Sequence, residues 1–274
     1  MPGEPILVAA DGTRLSGELS GEGAGVVLLH GLTATRRYVV MGSNTLQRSG
    51  RRVLAYDARG HGASAPAADG DYGYPRLAAD LGAALDAAGF ERAVLAGASM
   101  GAHTAVRFAL DEPGRVAGLV LITPSFDPAS ARTPAELERW DALARGLREG
   151  GVEGFVAAYD LEGVAEPLRA TVETVLRQRL AAHEHPGAVA DALEAVPRSA
   201  PFEDPQELRR LAVPVLVVAS RDEPDPGHPL AVAERWASWI PDARLLVEEP
   251  GASPIAWQGG KLSKLIVALT DERM

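Results

Sequence analysis

The sequence predicts an α/β protein: a mostly parallel, twisted sheet covered by helices, interrupted once by an all-helical insertion. Three observations carry this. Six short apolar runs are continuous rather than alternating, which is the pattern of strands buried on both faces. Most are separated by segments with the 3.6-residue period of an amphipathic helix. Between about residues 125 and 205 the alternation stops, and helical patterns follow one another with no strand between them.

In chain order, Ile6–Ala10 and Thr13–Leu19 flank Asp11-Gly12, a hairpin signal. The continuous runs are Gly25–Leu29, Val53–Tyr56, Ala93–Ala96, Leu119–Ile122, Val215–Val218 and Leu245–Val247. Helices are predicted over residues 36–48, 73–88, 99–110, 229–239 and 259–270, and in the insertion over 134–148, 152–159, 167–182 and 187–195. The expected organisation is a core of residues 1–124 and 206–274 with a helical cap, or lid, over 125–205. An insertion at that point is expected to lie over the carboxyl ends of parallel strands, where such sheets bind ligands; the alternative is an ordinary helical layer with no gating role.

Composition narrows the classes. The chain has 274 residues, 46% of them hydrophobic, enough for one sizeable core. It has no cysteine, which excludes disulfides, thiolate zinc sites and iron–sulfur clusters. A formal charge of −10 disfavours nucleic acid and anionic membranes as partners. No basic, apolar leader opens the chain and no apolar run approaches about 18 residues, so the expectation is a soluble, cytoplasmic protein.

The most informative stretch is Gly97-Ala98-Ser99-Met100-Gly101, a G-x-S-x-G pentapeptide between an apolar run and a helical pattern. A serine on a sharp strand-to-helix turn tolerates only small neighbours, and Ser99 reads as a nucleophile elbow. Ala102, Ala105, Val106, Ala109 and Leu110 continue at helical spacing until Asp111-Glu112-Pro113-Gly114 ends the helix.

Taken together, the motifs resemble the α/β-hydrolase fold family over nearly the whole chain. His30-Gly31-Leu32-Thr33 is similar to the family's H-G loop. Asp57-Ala58-Arg59-Gly60-His61-Gly62-Ala63-Ser64 is similar to its D-x-R-G-x-G-x-S loop. Ala219-Ser220-Arg221-Asp222 resembles its strand-end G-x-x-D. The resemblance implies about eight strands and an oxyanion hole formed by the backbone N–H groups of Leu32 and Met100. It also implies Asp222 as the acid that orients a histidine, with Asp225 and Asp127 as weaker candidates.

The histidine itself departs from the family pattern. The loop after the last strand reads Glu249-Pro250-Gly251-Ala252-Ser253-Pro254-Ile255, and no histidine follows His228. A serine hydroxyl cannot serve as base for Ser99 near neutral pH. Among the six histidines, His30 and His61 read as structural, and His103 falls beneath the elbow. His183 and His185 read as a solvated lid face whose spacing does not suit a metal pair, and as the next candidates for the base after His228 should one of them hang over the site. His228, in the loop that begins at Asp222, is the best replacement base. Arg36 and Arg37 sit at a predicted helix N-terminus, where a cation calls for a carboxylate partner or ligand; a solvated turn is the simpler alternative.

The leading expectation is an enzyme acting on a small ester, thioester or related carbonyl compound. Ser99, Asp222 and His228 would be catalytic, with no cofactor or metal and no partner beyond a small-molecule substrate. Two alternatives stand beside it: a non-hydrolytic lyase or cyclase using the same oxyanion hole, and a catalytically silent ligand-binding protein.

Overall fold

A computed structural model describes residues 4–130 and 132–271. The start of the chain, Met1 to Gly3, lies outside the described residues. The elements run β1 (Glu4–Ala10), β2 (Thr13–Ser20), β3 (Ala24–Leu29), α1 (Thr45–Arg48), β4 (Arg51–Tyr56), α2 (Tyr74–Ala87), β5 (Ala93–Ala98), α3 (Met100–Asp111) and β6 (Val116–Ile122). They continue through α4 (Pro134–Ala158), α5 (Glu166–Leu180), α6 (Pro186–Ala195), β7 (Val215–Ala219), α7 (Leu230–Trp239), β8 (Arg244–Val247) and α8 (Gly259–Asp271).

The eight strands form one sheet in the order β1-β2-β4-β3-β5-β6-β7-β8. Only the two pairings made by β2 are antiparallel; every other neighbour is parallel. Strand composition explains why. In β3, Val27 and Leu29 enter the apolar layer beneath α2, α3 and α7, while Val26 and Leu28 enter the layer beneath α1 and α8. In β5, Leu95 and Val94 divide the same way. Both faces of each strand are covered, so its sequence is apolar without alternation.

One predicted helix is corrected. Residues 36–48 do not form a continuous helix: a single 3₁₀ turn at Arg36–Tyr38 is followed by the four-residue α1. Met41 and Gly42 between them take φ 47° and 72°, which no helix accommodates. The segments predicted over 134–148 and 152–159 run together as α4, bent where Gly151 adopts φ 59° and ψ −143°.

The segment between β6 and β7 is helical and has its own apolar cluster, including Leu147, Phe155, Leu176, Leu180 and Leu193. Leu32 packs against that cluster, and Met100 joins Tyr72, Tyr74, Ala188 and Ala192. Leu32, on the loop after β3, and Met100, the residue after Ser99, therefore pack against residues of this segment. Among the described residues no helix is long and apolar enough to cross a membrane.

The glycines of the elbow are fixed by contact. A Cβ on Gly101 would lie 2.2 Å from Leu29 O on β3, and one on Gly97 would lie 2.2 Å from Gly101 O. Gly101→Ala must therefore push α3 off β3. It is expected to cost about 1–3 kcal/mol or more, read as a lower urea midpoint with unchanged m-value. A wild-type midpoint would mean that the turn is looser than described.

Candidate active site

Ser99 joins β5 to α3 with φ 49° and ψ −113°, a conformation costly for any residue but glycine. Its N–H donates to Ile122 O (2.9 Å) and its carbonyl accepts from His103 N–H (3.0 Å), so the strained residue is fixed on both sides. Among the described residues Ser99 Oγ makes no hydrogen bond. The loop after β3 passes close by, since a Cβ on Gly31 would lie 3.5 Å from Ser99 Cβ. Met100 N–H opens a helix and has no intrahelical acceptor.

The loop after β4 is a scaffold for this region. Asp57 accepts from Arg36 N–H (2.8 Å) and from Ala63 N–H (3.2 Å), and it forms an ion pair with the Arg36 guanidinium. Arg36 also pairs with Glu18, so its carboxylate partners are internal; Arg37 is exposed. Arg59, fully buried, grips Asp80 through two hydrogen bonds of 2.6 and 2.7 Å.

The histidines sort by contact. His30 Nε2 accepts from Ala58 N–H, which leaves Nδ1–H to donate to Gly31 O, each at 2.9 Å. Burial pushes its pKa down to about 3. His103 lies beneath the elbow: Nε2 accepts from Ser125 and Phe126 N–H (3.1 and 3.2 Å), and Nδ1–H donates to Tyr74 Oη (2.8 Å). Burial, and then the nearby His228, push its pKa down to about 3. His61 is buried, with Nδ1–H donating to Arg59 O at 2.9 Å.

His183 corrects an expectation. It is not on a solvated face but buried against the core, where Nδ1 accepts from Gly62 N–H (2.8 Å) and Nε2–H donates to Thr33 O (3.0 Å). The predicted helix 167–182 ends at Leu180, which frees the following residues to turn inward.

His228 is half-buried, and its Nδ1 bonds Asp225 Oδ1 at 2.8 Å. Burial opposes its protonation, but the charge of Asp225 and this hydrogen bond more than offset it. The net pKa is raised above the ordinary value. Asp222 is not the carboxylate on this histidine: it is exposed and accepts from Leu230 N–H (2.8 Å) at the start of α7. Two turns explain the difference, since Asp225 N–H returns to Arg221 O and His228 N–H to Asp225 O. They bring positions 225 and 228 together and leave 222 outside. Asp127 is paired with Arg235 at 2.7 Å.

Arg179 on α5 went unnoticed in the sequence. Its Nη2 donates to Leu32 O and Thr33 Oγ1, both at 2.8 Å. Nε is buried without a partner, and among the described residues the guanidinium has no carboxylate. Burial depresses its pKa, against the favourable influence of Tyr159, Tyr38 and Asp225. Arg169, Arg177 and Arg179 are alike in sequence, and only the fold distinguishes the one that turns inward.

A family model described as alpha/beta hydrolase fold matches residues 26–259. The chain belongs to the α/β-hydrolase fold family. Within this family it is similar to 2-hydroxy-6-oxononadienedioate/2-hydroxy-6-oxononatrienedioate hydrolase 2 of Pseudomonas putida, 33% identical over 236 residues covering 83% of this chain and 80% of that one. RutD of Variovorax paradoxus, named as a carbamate hydrolase, is 31% identical over 231 residues, covering 82% of each. The enol-lactonase of Burkholderia xenovorans LB400 shares the α/β-hydrolase fold with a TM-score of 0.80 at 24% identity, over 97% of this chain and all of that one. The two curated relatives, both named as hydrolases, support hydrolase activity.

Proposed function

We propose that this protein hydrolyses a small carbonyl compound that carries a carboxylate. Ser99 is the nucleophile, His228 the general base and Asp225 the acid that orients it; Leu32 and Met100 N–H are the oxyanion donors. The observation that carries this reading is the strained Ser99 backbone, held by Ile122 O and His103 N–H on a turn with no room for side chains at Gly97 or Gly101. Such strain is held only where surrounding contacts over-determine it, and it clusters at active sites.

In the forward reaction Ser99 Oγ bonds to the carbonyl carbon and its proton passes to His228 Nε2. The bond to the leaving group then breaks as His228 returns the proton to it. Water, deprotonated by the same nitrogen, releases the second product and restores Ser99. Asp225 on Nδ1 fixes the tautomer that leaves Nε2 free to accept.

The substrate class follows from Arg179, a guanidinium beside the oxyanion loop with no carboxylate of its own among the described residues. The name of the Pseudomonas putida relative specifies a dioate, a substrate with two carboxylates. An anion on Arg179 would neutralise a buried charge, an interaction worth about 10- to 100-fold in affinity.

Labelling by a fluorophosphonate tests the nucleophile: the wild type should react and Ser99→Ala should not. For the substrate class, Arg179→Gln should lower the preference for p-nitrophenyl hemisuccinate over p-nitrophenyl butyrate about tenfold or more, read as the ratio of kcat/KM values. An unchanged ratio would remove Arg179 from substrate binding. The absence of a hydrogen bond on Ser99 Oγ among the described residues favours a second reading, a non-hydrolytic use of the oxyanion hole, and failure of the probe to label would select it.

A further inference from the structure

Three consecutive carbonyls of the loop after β3 are each held by a side-chain N–H. His30 Nδ1 donates to Gly31 O (2.9 Å), Arg179 Nη2 to Leu32 O (2.8 Å) and His183 Nε2 to Thr33 O (3.0 Å). The first clamp comes from the core. The other two come from the helical insertion. Thr33 needs them, because it is β-branched and sits at φ 66°, where such residues are outliers. His183 is also tied to the next core loop, with Gly62 N–H donating to its Nδ1 (2.8 Å) and Glu184 N–H donating to Gly62 O (2.9 Å).

We propose that His183 is a positioning residue for the oxyanion loop: neutral and bonded through both nitrogens, it fixes Thr33 so that Leu32 N–H keeps its direction only while the insertion is docked. The proposal rests on the reading of Leu32 N–H as an oxyanion donor. It makes the insertion part of the catalytic apparatus without placing any of its atoms on the reacting carbon. It also ties docking to proton concentration, since a protonated His183 cannot accept from Gly62 N–H. The groups facing the ring are His61, His30, Asp57, Arg179 and Thr33 O. Asp57 and Thr33 O favour a proton there, whereas burial, the Arg179 charge and any proton on the adjacent His61 oppose it.

The test compares His183→Ala with His183→Gln, whose amide can still donate to Thr33 O. Kinetics on p-nitrophenyl butyrate are read beside backbone hydrogen exchange over residues 30–36. In the alanine variant kcat should fall about 100-fold with KM within about threefold, the penalty of a misdirected donor. Exchange over 30–36 should quicken about tenfold or more, reporting local opening of the loop. The glutamine variant should recover most of both. Equal damage in the two variants, or wild-type kcat and exchange in the alanine variant, overturns the proposal. Should the alanine variant not fold, His183→Asn, which keeps an acceptor near Gly62 N–H without the reach to Thr33 O, replaces it. If the wild type neither turns over ester nor labels, the hydrolytic reading fails and the exchange comparison alone decides the role of His183.

Discussion

Replacing His228 by alanine is expected to lower turnover by about 10⁴- to 10⁶-fold and to abolish fluorophosphonate labelling. Losing the histidine of a serine-protease triad has a penalty of this size, because Ser99 Oγ then has no acceptor for its proton. Asp225→Asn should cost about 10⁴-fold, since an amide on Nδ1 no longer favours the imidazolium that forms in the transition state. Asp222→Asn should leave turnover within a few-fold, because its carboxylate faces Leu230 N–H rather than the ring. The pH profile carries the sign. The base works when neutral and its pKa is raised by Asp225, so activity should rise with pH on an acid limb lying above the ordinary histidine value of 6.5. In Asp225→Asn that limb should move to lower pH. An active His228→Ala enzyme, or an Asp222→Asn variant as damaged as Asp225→Asn, would refute the assignment.

The second large effect is on stability in acid. His30, His61, His103 and His183 are all held neutral by burial, His30 and His103 with pKa values pushed down to about 3. Their folded pKa values lie below the unfolded value of 6.5, so the unfolded chain takes up protons that the folded one refuses. The stability they confer is complete above 6.5. It is lost as pH falls from there towards the folded values. Each group can reduce the folding constant by up to about tenfold per pH unit while it stays neutral in the folded state. His30 and His103, held neutral down to about 3, can therefore together remove about 100-fold per unit, and His61 and His183 add to this in the same direction. His228 acts in the opposite direction, its raised pKa adding stability at low pH that is lost as pH rises through the folded value. Cooperative unfolding is therefore expected well above pH 3, followed by tryptophan fluorescence on acidification. A urea midpoint unchanged between pH 6.5 and 4.5 would contradict it.

The sheet was readable because burial on both faces writes itself into the strands: the apolar runs at Val26–Leu29 and Ala93–Ala96 admit little else. The tight turn at Ser99 was readable because the positions two residues to either side, Gly97 and Gly101, have no room for a Cβ, and the pentapeptide records that in a short local pattern. Contacts made across long sequence separations were not. His183 meets Gly62 and Thr33 from more than a hundred residues away, and Arg179 meets Leu32 likewise. No local pattern marks either. The pairing of His228 with Asp225 rather than Asp222 depends on two turns through a proline- and glycine-rich loop, whose backbone path several sequences could share. The missed break at Met41-Gly42 has the same origin, since a methionine at positive φ violates the local preference on which the reading relied.

Asp225 and His228 sit three residues apart on one short turn. Residues so close in the chain travel together: one crossover, one deletion or one grafted peptide carries or removes both. The segment beyond β8, from Glu249 to Ser253, is exposed and holds neither of them. Where that pair serves Ser99, the segment offers protein engineers a splice point at which a tag or a second domain can be joined without crossing the carboxylate–imidazole pair.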